Sequence, residues 1–235
     1  MIPRLTGDAA LEFMDRPRLD AGELRDCLRD IGRLNRWFGG AAAVLSEVQR
    51  IVRARALNGR ITVLDIGTGG GDIPRALLGW SARRGLAVEV VACDIHDQII
   101  AAAAASSRDL GRMSFVRTEA LALPFVAGHF DFVLSSLTLH HLPEREVVPF
   151  LRGLRELPRQ ALIVCDLERA RLGYAGVWLA THAISRNRFT RHDGPVSVLR
   201  AYTLDELAEL SREAGCGDMR WRRRRFFRVV GVLER

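Results

Sequence analysis

Residues 63–77, VLDIGTGGGDIPRAL, place four glycines within five positions directly after a run of aliphatic residues. The aliphatic run from Ile61 to Ile66 predicts a buried strand. After the loop, Ile73, Leu77 and Trp80 recur at helical spacing, which predicts a helix. Glycine has no Cβ and reaches positive φ without strain, so such a turn lets a ligand approach the backbone closely. The segment therefore predicts a strand, a glycine turn and a helix that together form a binding loop.

Length and composition limit the class of protein. A chain of 235 residues with 48% hydrophobic content can bury one good-sized core with at most a small appendage. No stretch approaches the roughly 18 consecutive apolar residues that span a bilayer. Charged residues, among them Arg4, Asp8 and Glu12, stand where a signal peptide would need an apolar segment. We expect a cytoplasmic protein.

The cysteine spacing and the net charge do not identify a ligand or partner. The four cysteines form no CxxC pair, so neither zinc nor a disulfide framework is predicted, and we expect no metal. The formal charge is +7, and all 35 basic residues are arginine. This excess is compatible with nucleic acid, an anionic membrane surface or an acidic ligand, and does not decide among them.

Two helices are predicted before the glycine loop, after a loosely ordered segment over residues 1–16. Asp20 and Glu23 have the spacing of a capping box at the start of the first helix, and Gly39–Gly40 ends it. A second helix runs over about 41–57. We expect residues 1–59 to form a helical cap and residues 60–235 the main domain.

From Arg60 onward, strands alternate with helices, which predicts an α/β fold with a doubly wound, Rossmann-like, mostly parallel sheet of seven strands. The last 17 residues predict an antiparallel hairpin around a basic turn. One irregular insertion, about 167–202, is longer than a plain connection and is expected to act as a lid. The predicted parallel strands are 61–66, 88–94, 113–118, 130–136 and 161–166, and the predicted helices are 72–84, 97–108, 144–156 and 203–214.

Polar residues follow the predicted strands, and ligands of open α/β sheets bind beyond these carboxyl ends. Asp94 at the end of the second strand is suited to accept hydrogen bonds from both hydroxyls of a ribose. A nicotinamide dinucleotide would require the G-x-G-x-x-G fingerprint. Here Asp72 takes the place of the last glycine, where it would face a pyrophosphate, and Asp94 comes late. The pattern fits a nucleoside, with or without a phosphate chain, better than a nicotinamide dinucleotide.

Four fragments, VLDIGTGGGDIP, VVACDIHDQII, FVRTEALALPF and FDFVLSSLTLHHLPE, occur in this order within about residues 60–166. They resemble the successive motifs of class I S-adenosylmethionine-dependent methyltransferases, especially the bacterial branch with quinone and natural-product glycoside methyltransferases. The resemblance implies S-adenosylmethionine as cofactor and S-adenosylhomocysteine as product. By this resemblance Asp94 binds the ribose, Ile95 flanks the adenine, and Glu119 with Ala120 reaches the adenine edge. The other candidate cofactor residues are Asp65, Gly67, Thr68, Gly69, Gly71 and Ser135.

Each of these residues also has a purely structural interpretation. Asp65 could cap the turn, Asp94 could cap the following helix, and Glu119 could be an exposed loop acid. Their joint occurrence at consecutive strand ends favours a shared ligand.

The resemblance also points to a base for removing the acceptor's proton. Related glycoside O-methyltransferases use a His-His pair with an acid at this place, which makes His140 the candidate base and gives His141 and Asp166 orienting roles. Alternatively, one histidine closes the strand end against a backbone carbonyl.

The insertion supplies candidate acceptor contacts. Its apolar residues would form the lid, with Trp178, His182, Arg191 and His192 as candidate substrate residues. The alternatives are a helix that only covers the sheet edge, and a membrane-surface helix flanked by arginines. Asp193–Gly194–Pro195 is expected to form a turn.

Nucleic acid is the less favoured partner despite the run Arg222–Arg225. Amino-directed base methyltransferases carry an Asp/Asn/Ser-Pro-Pro-aromatic signature where this chain has Ser135–Ser136–Leu137–Thr138. We therefore expect methyl transfer to a hydroxyl or phenolic oxygen of a small, hydrophobic or aromatic acceptor. The rivals are C-methylation of a quinone-like ring and a non-catalytic nucleoside- or RNA-binding protein, and the oligomeric state is left open.

Overall fold

The computed structural model describes residues 2–235. A seven-stranded sheet with the order β3-β2-β1-β4-β5-β7-β6 forms its centre. The first five strands are parallel, and β7 pairs antiparallel with both β5 and β6. The predicted Rossmann-like fold with an antiparallel C-terminal hairpin is therefore confirmed. The strands are β1 (Arg60–Ile66), β2 (Ala87–Asp94), β3 (Met113–Arg117), β4 (Phe130–Ser136), β5 (Pro158–Leu167), β6 (Arg220–Arg224) and β7 (Arg228–Glu234).

Eight α-helices surround the sheet in the described part of the chain, and none is long and apolar enough to cross a membrane. They are α1 (Ala21–Trp37), α2 (Gly40–Ala54), α3 (Asp72–Ala82), α4 (Asp97–Ala105), α5 (Glu144–Arg155), α6 (Arg171–Ile184), α7 (Arg188–Arg200) and α8 (Leu204–Glu213).

The hydrophobic core consists of two layers, one on each face of the sheet, because helices pack against both faces. On one face, Ile51 of α2 and Leu77 of α3 pack with Val63 of β1. On the other, Phe150 of α5 and Leu207 of α8 pack with sheet residues. The second predicted helix of the cap is thus part of the main core, since its apolar side buries directly against the sheet.

Local signals explain where the helices begin. The Asp20 carboxylate accepts hydrogen bonds from the backbone N–H groups of Gly22 and Glu23, at 3.0 and 2.9 Å, and so caps α1. Thr203 and Glu206 form a reciprocal capping box at the start of α8.

The insertion differs from expectation. Residues 167–202 are not irregular but hold α6 and α7, and Asp193–Gly194–Pro195 lies inside α7 rather than in a turn. Asp193 is buried, and its carboxylate accepts from the backbone N–H groups of Phe13 and Met14 at 2.8 and 3.1 Å. It therefore anchors the N-terminal segment instead of starting a turn.

The sequence predicts a loosely ordered segment over residues 1–16. From residue 2 onward this segment instead contains two short 3-10 turns, Gly7–Ala10 and Phe13–Asp15. The second turn carries Glu12 and Asp15 to the carboxyl ends of the strands, where Glu12 is buried.

Candidate functional site

A cavity of about 470 Å³ lies beyond the carboxyl ends of β1, β2 and β4. Its volume falls in the range of small-molecule and cofactor sites. The glycine loop after β1 and the tips of β2 and β4 form its floor, while α1, α6, α7 and the N-terminal segment form its other walls. This is the place where an open α/β sheet binds its ligand.

The glycine loop has the backbone that its sequence predicts. Gly67, Gly69 and Gly71 all have positive φ, at 70°, 51° and 71°. A Cβ on Gly67 would lie 2.2 Å from Oγ1 of Thr138, so no larger residue fits there. Gly67, Thr68 and Gly69 line the cavity. Gly71 does not line it and is the N-cap residue of α3.

Asp94 lies at the tip of β2 and is buried at the cavity wall. Its two carboxylate oxygens accept from the backbone N–H groups of Gly69, at 3.1 Å, and His96, at 3.2 Å. Burial raises the pKa of this carboxyl above its usual range. Asp94 thus binds the glycine loop and the start of α4, as a structural role requires. It also lines the cavity, where it can contact a ligand.

The remaining predicted cofactor residues mostly share this cavity. Asp65, Ile95, Glu119 and Ala120 line it, whereas Ser135 lies behind the wall and its neighbour Ser136 takes the place at the surface. Burial raises the pKa of Asp65 to about 7. The hydroxyls of Thr68 and Ser136 are buried without a hydrogen-bond partner among the described residues, so they are free to meet a polar ligand. These residues fit a nucleoside cofactor.

His140 and Asp166 form a buried pair at the ends of β4 and β5. The ring Nδ1 of His140 lies 2.6 Å from Oδ1 of Asp166. The Asp166 carboxylate also accepts from the backbone N–H groups of Leu167, at 2.7 Å, and His140, at 3.3 Å. Burial opposes ionisation, but His140 holds the pKa of Asp166 below its usual range. An ionised Asp166 fixes the tautomer with the proton on Nδ1, which leaves the lone pair on Nε2 of His140.

His141 belongs to a second cluster that sequence reasoning missed. Its ring Nδ1 lies 2.8 Å from Asp15, and its Nε2 lies 3.8 Å from Glu12. Arg200 of α7 donates to the backbone carbonyls of His140 and His141, at 3.0 and 2.9 Å, and pairs with Glu12 and Asp15. Burial alone would lower the pKa of His141, but Glu12 and Asp15 raise it to about 9. With a pKa of about 9, His141 carries a positive charge near neutral pH. Arg200 fixes the backbone of both histidines through its hydrogen bonds to their carbonyls.

Glu12, His140 and His141 present one ligand atom each within 4.8 Å of one another, a spacing that a metal ion could bridge. Arg200, at 3.3 Å, and the hydroxyl of Ser197, at 3.0 Å, already satisfy one oxygen of Glu12. We assign no metal to this cluster.

The four residues predicted to contact the substrate do not line the cavity. Helix α6 turns Gly173, Val177 and Thr181 inward, which leaves Trp178 on the outer face, stacked on His182 at 4.4 Å. Arg191 instead donates to the backbone carbonyls of Ser185 and His182, at 2.7 and 3.2 Å. His192 stacks on Phe13 and bonds to Asp193. Trp178 and His182 thus lie on the side of α6 away from the cavity, while Arg191 and His192 of α7 are held by other contacts, and their role in substrate binding stays a prediction.

A buried arginine at the hairpin is a further unpredicted wall residue. Arg228 donates to Asn35 Oδ1 at 2.8 Å, and Asn35 donates to Asp72 at 3.0 Å. The Nε and Nη1 groups of Arg228 have no hydrogen-bond partner among the described residues. They are available to an oxygen of a bound ligand. The surrounding wall, with Leu34, Phe38 and Phe227, is apolar.

Comparisons with known proteins agree with this geometry. A family model described as a methyltransferase domain matches residues 63–161. A demethylmenaquinone methyltransferase of Roseiflexus sp. (strain RS-1) is 32% identical over 171 residues, which cover 68% of this chain and 69% of that protein. A ubiquinone/menaquinone biosynthesis C-methyltransferase of Shewanella sp. (strain ANA-3) is 29% identical over 112 residues, or 46% of this chain. The chain spans 43% of the length of this second relative.

A solved structure shows the same fold. The S-adenosylmethionine-dependent methyltransferase from Aquifex aeolicus superposes with a TM-score of 0.62 and 20% identity, covering 92% of this chain and 99% of that one. At this identity the likeness concerns the fold, and the chemistry depends on the residues at the strand ends.

Proposed function

Because this chain belongs to the S-adenosylmethionine-dependent methyltransferases and S-adenosylmethionine is its cofactor, we propose that it methylates a small, apolar phenolic or hydroxylated acceptor. The observation that carries this proposal is the buried contact of 2.6 Å between His140 and Asp166 at the cavity wall. It supports a histidine whose Nε2 accepts the acceptor's proton.

Methyl transfer from a sulfonium is an in-line displacement, so the protein mainly has to align the nucleophile with the methyl group. A phenol or alcohol must also lose its proton as the methyl arrives. A histidine with a fixed tautomer can take that proton, and its protonated form is then stabilised by the Asp166 carboxylate. Asp166 acts through His140 and is a positioning residue in this scheme.

The class of acceptor follows from the cavity wall. Beyond the glycine loop, the side chains of Ile31, Leu34, Phe38 and Val177 make the wall apolar. The polar side chains on this wall lie in two groups, the histidine cluster with Glu12 and Asp15, and Arg228 with Asn35 and Asp72. An aromatic ring with one or two oxygen substituents matches such a wall, since pockets of this type take their specificity from a few polar contacts.

Transfer to a ring carbon is the second candidate, and the two named relatives favour it. One is a demethylmenaquinone methyltransferase and the other a C-methyltransferase of quinone biosynthesis. The same base serves both reactions, because ionising a hydroquinone hydroxyl also raises the electron density on the neighbouring ring carbons. The site of attack then depends on how the acceptor lies against the methyl group.

The test uses S-adenosylmethionine with a ¹³C-labelled methyl group and a panel of naphthols, hydroquinones and aliphatic alcohols. Carbon NMR of the products separates a methoxy group from an aryl methyl group. We expect transfer to the phenolic compounds, and a loss of about 10²–10⁴-fold in kcat for His140→Ala with little change in S-adenosylhomocysteine affinity. His129→Ala, which removes an exposed histidine before β4, is the matched control.

Two outcomes would contradict the proposal. If the wild type binds cofactor but methylates no phenol or alcohol of the panel, the acceptor class is wrong. If His140→Ala keeps full activity, His140 is not the base.

A further inference from the structure

Large apolar side chains face outward on α1, α6 and the turn between β6 and β7, three elements that also contribute residues to the cavity wall. Six of them are exposed between 38% and 73%. We define them as the rim patch: Trp37, Leu172, Trp178, Leu179, Phe226 and Phe227. We propose that the rim patch docks this protein on an anionic bilayer surface. Large exposed apolar patches on otherwise folded proteins mark sites of interaction.

Two phenylalanines at the hairpin tip adopt a backbone conformation that is unfavourable for bulky residues. Phe226 and Phe227 both have positive φ, at 59° and 54°. Bulky residues are outliers in this region, and turns that need it normally use asparagine and glycine. Local strain of this kind concentrates at functional sites. Two exposed phenylalanines in strained positions at the cavity wall therefore indicate a binding role.

Direct contacts link the three elements that carry the six side chains. A Cβ on Gly173 of α6 would lie 3.1 Å from the Phe227 ring, so the hairpin tip packs directly on the start of that helix. Phe226 packs edge to face with Phe38 of α1, with 5.3 Å between the ring centroids, and Trp37 precedes Phe38 in the chain. The outer face of α6 adds Leu172, Trp178 and Leu179. Of the six side chains, Phe226 and Phe227 also line the cavity.

Charge selects the kind of surface. Arg36, Arg171 and Arg225 are exposed and directly precede Trp37, Leu172 and Phe226 in the chain. Within residues 2–235, none of these three arginines makes an ion pair. Unpaired basic groups beside aromatic and aliphatic side chains match the phosphates and the acyl boundary of an anionic bilayer.

Other occupants fit less well. A second copy of this chain on the same patch would bring like-charged arginines together, which is unfavourable. A nucleic acid would pair with the arginines but would leave Leu172 and Leu179 in water. A bilayer satisfies both sets of side chains at once.

Docking in this way would bring the side of the cavity lined by Phe226 and Phe227 to the lipid, from which an apolar acceptor could enter. That consequence rests on the proposed function, whereas binding to vesicles does not. The full chain is therefore tested without any acceptor, by sedimentation with vesicles of phosphatidylcholine alone or mixed with phosphatidylglycerol. We expect binding to the mixed vesicles, weakened by salt, and little binding to phosphatidylcholine alone.

Two sets of variants separate the contribution of the arginine charges from that of the apolar side chains. Replacing Arg36, Arg171 or Arg225 by glutamine should weaken vesicle binding about fivefold each. The double variant Phe226→Asn with Phe227→Gly should weaken it about tenfold or more while raising the melting temperature, because it relieves the turn. Val126→Asn is the control, since Val126 is 69% exposed and lies in the loop that leads into the amino end of β4, whereas the cavity lies beyond the carboxyl end of that strand.

Three results would overturn the proposal. The first is equal binding of the wild type to both kinds of vesicle, or to neither. The second is a hairpin double variant that melts higher yet binds vesicles as the wild type does. The third is a concentration-dependent dimer in analytical ultracentrifugation that the double variant abolishes, since the rim patch would then be an interface between two copies.

Discussion

The ring Nδ1 of His140 lies 2.6 Å from Oδ1 of Asp166, although 26 positions separate the two residues in the chain. Adjacent parallel strands bring them together, since β4 and β5 end at the same edge of the sheet. Both side chains are buried. A charged partner at this distance in a buried site orients the imidazole and stabilises its protonated form.

We expect Asp166→Asn to lower kcat for a phenolic acceptor by less than His140→Ala, within the roughly 10²–10⁴-fold that a positioned base contributes. The amide keeps the shape but loses the charge that holds the proton on Nδ1. Asp166→Glu should restore part of the rate. The loss should shrink for more acidic phenols, because these ionise with less help. An equal loss across acceptors of graded acidity would show that Asp166 has only a structural role.

Asp94→Ala should weaken binding of S-adenosylhomocysteine by about 10–10²-fold. A carboxylate that bonds ribose hydroxyls makes charge-assisted hydrogen bonds worth roughly 1.5–3 kcal/mol. Asp94→Asn should have a smaller effect, because it keeps one oxygen for the Gly69 N–H group. Calorimetry measures the affinities, with the exposed Asp97→Ala as control. Unchanged affinity in Asp94→Ala would remove this residue from the cofactor site.

The charge of His141 should make stability depend on pH. Its pKa is raised to about 9 in the folded protein, against an ordinary value of about 6.5. The resulting stabilisation is complete below the lower value and is lost as pH rises through the higher one. We expect His141→Gln to lack this component, on the order of 1–2 kcal/mol given the partial exposure of the ring. Urea unfolding at about pH 6 and about pH 10 tests this. If the difference between the two proteins does not shrink at the higher pH, His141 is not charged in the folded state.

Asp193→Ala should release the N-terminal segment from the site. The backbone N–H groups of Phe13 and Met14 lose their acceptor, which destabilises the buried contact by about 1–3 kcal/mol. Trypsin should then cleave after the exposed Arg18 faster than in the wild type, and methyl transfer should fall because Glu12 and Asp15 leave the histidines. Asp109→Ala removes an exposed acid and serves as control. Wild-type cleavage rates would show that the segment is held by other contacts.

Local patterns in the sequence determined the sheet and its cofactor edge. The aliphatic runs predict the five parallel strands to within a few residues, because a buried strand needs continuous apolar side chains. The glycine cluster predicts the loop, because only glycine adopts positive φ without strain and leaves room beside Thr138. Asp94 and His140 could be placed near one another because parallel strands end at a common edge.

Only the tertiary structure decided which side chains complete the site. Glu12 and Asp15 lie more than a hundred positions before His141 and Arg200 in the chain, so no local spacing relates the two pairs. Helix α7 could not be predicted because Asp193–Gly194–Pro195 has the composition of a turn, whereas buried hydrogen bonds to the N-terminal segment hold it in a helix. The inward face of α6 was equally undetermined. Its residues are apolar on nearly every side, so periodicity could not orient the helix, and packing against the cavity and the hairpin did.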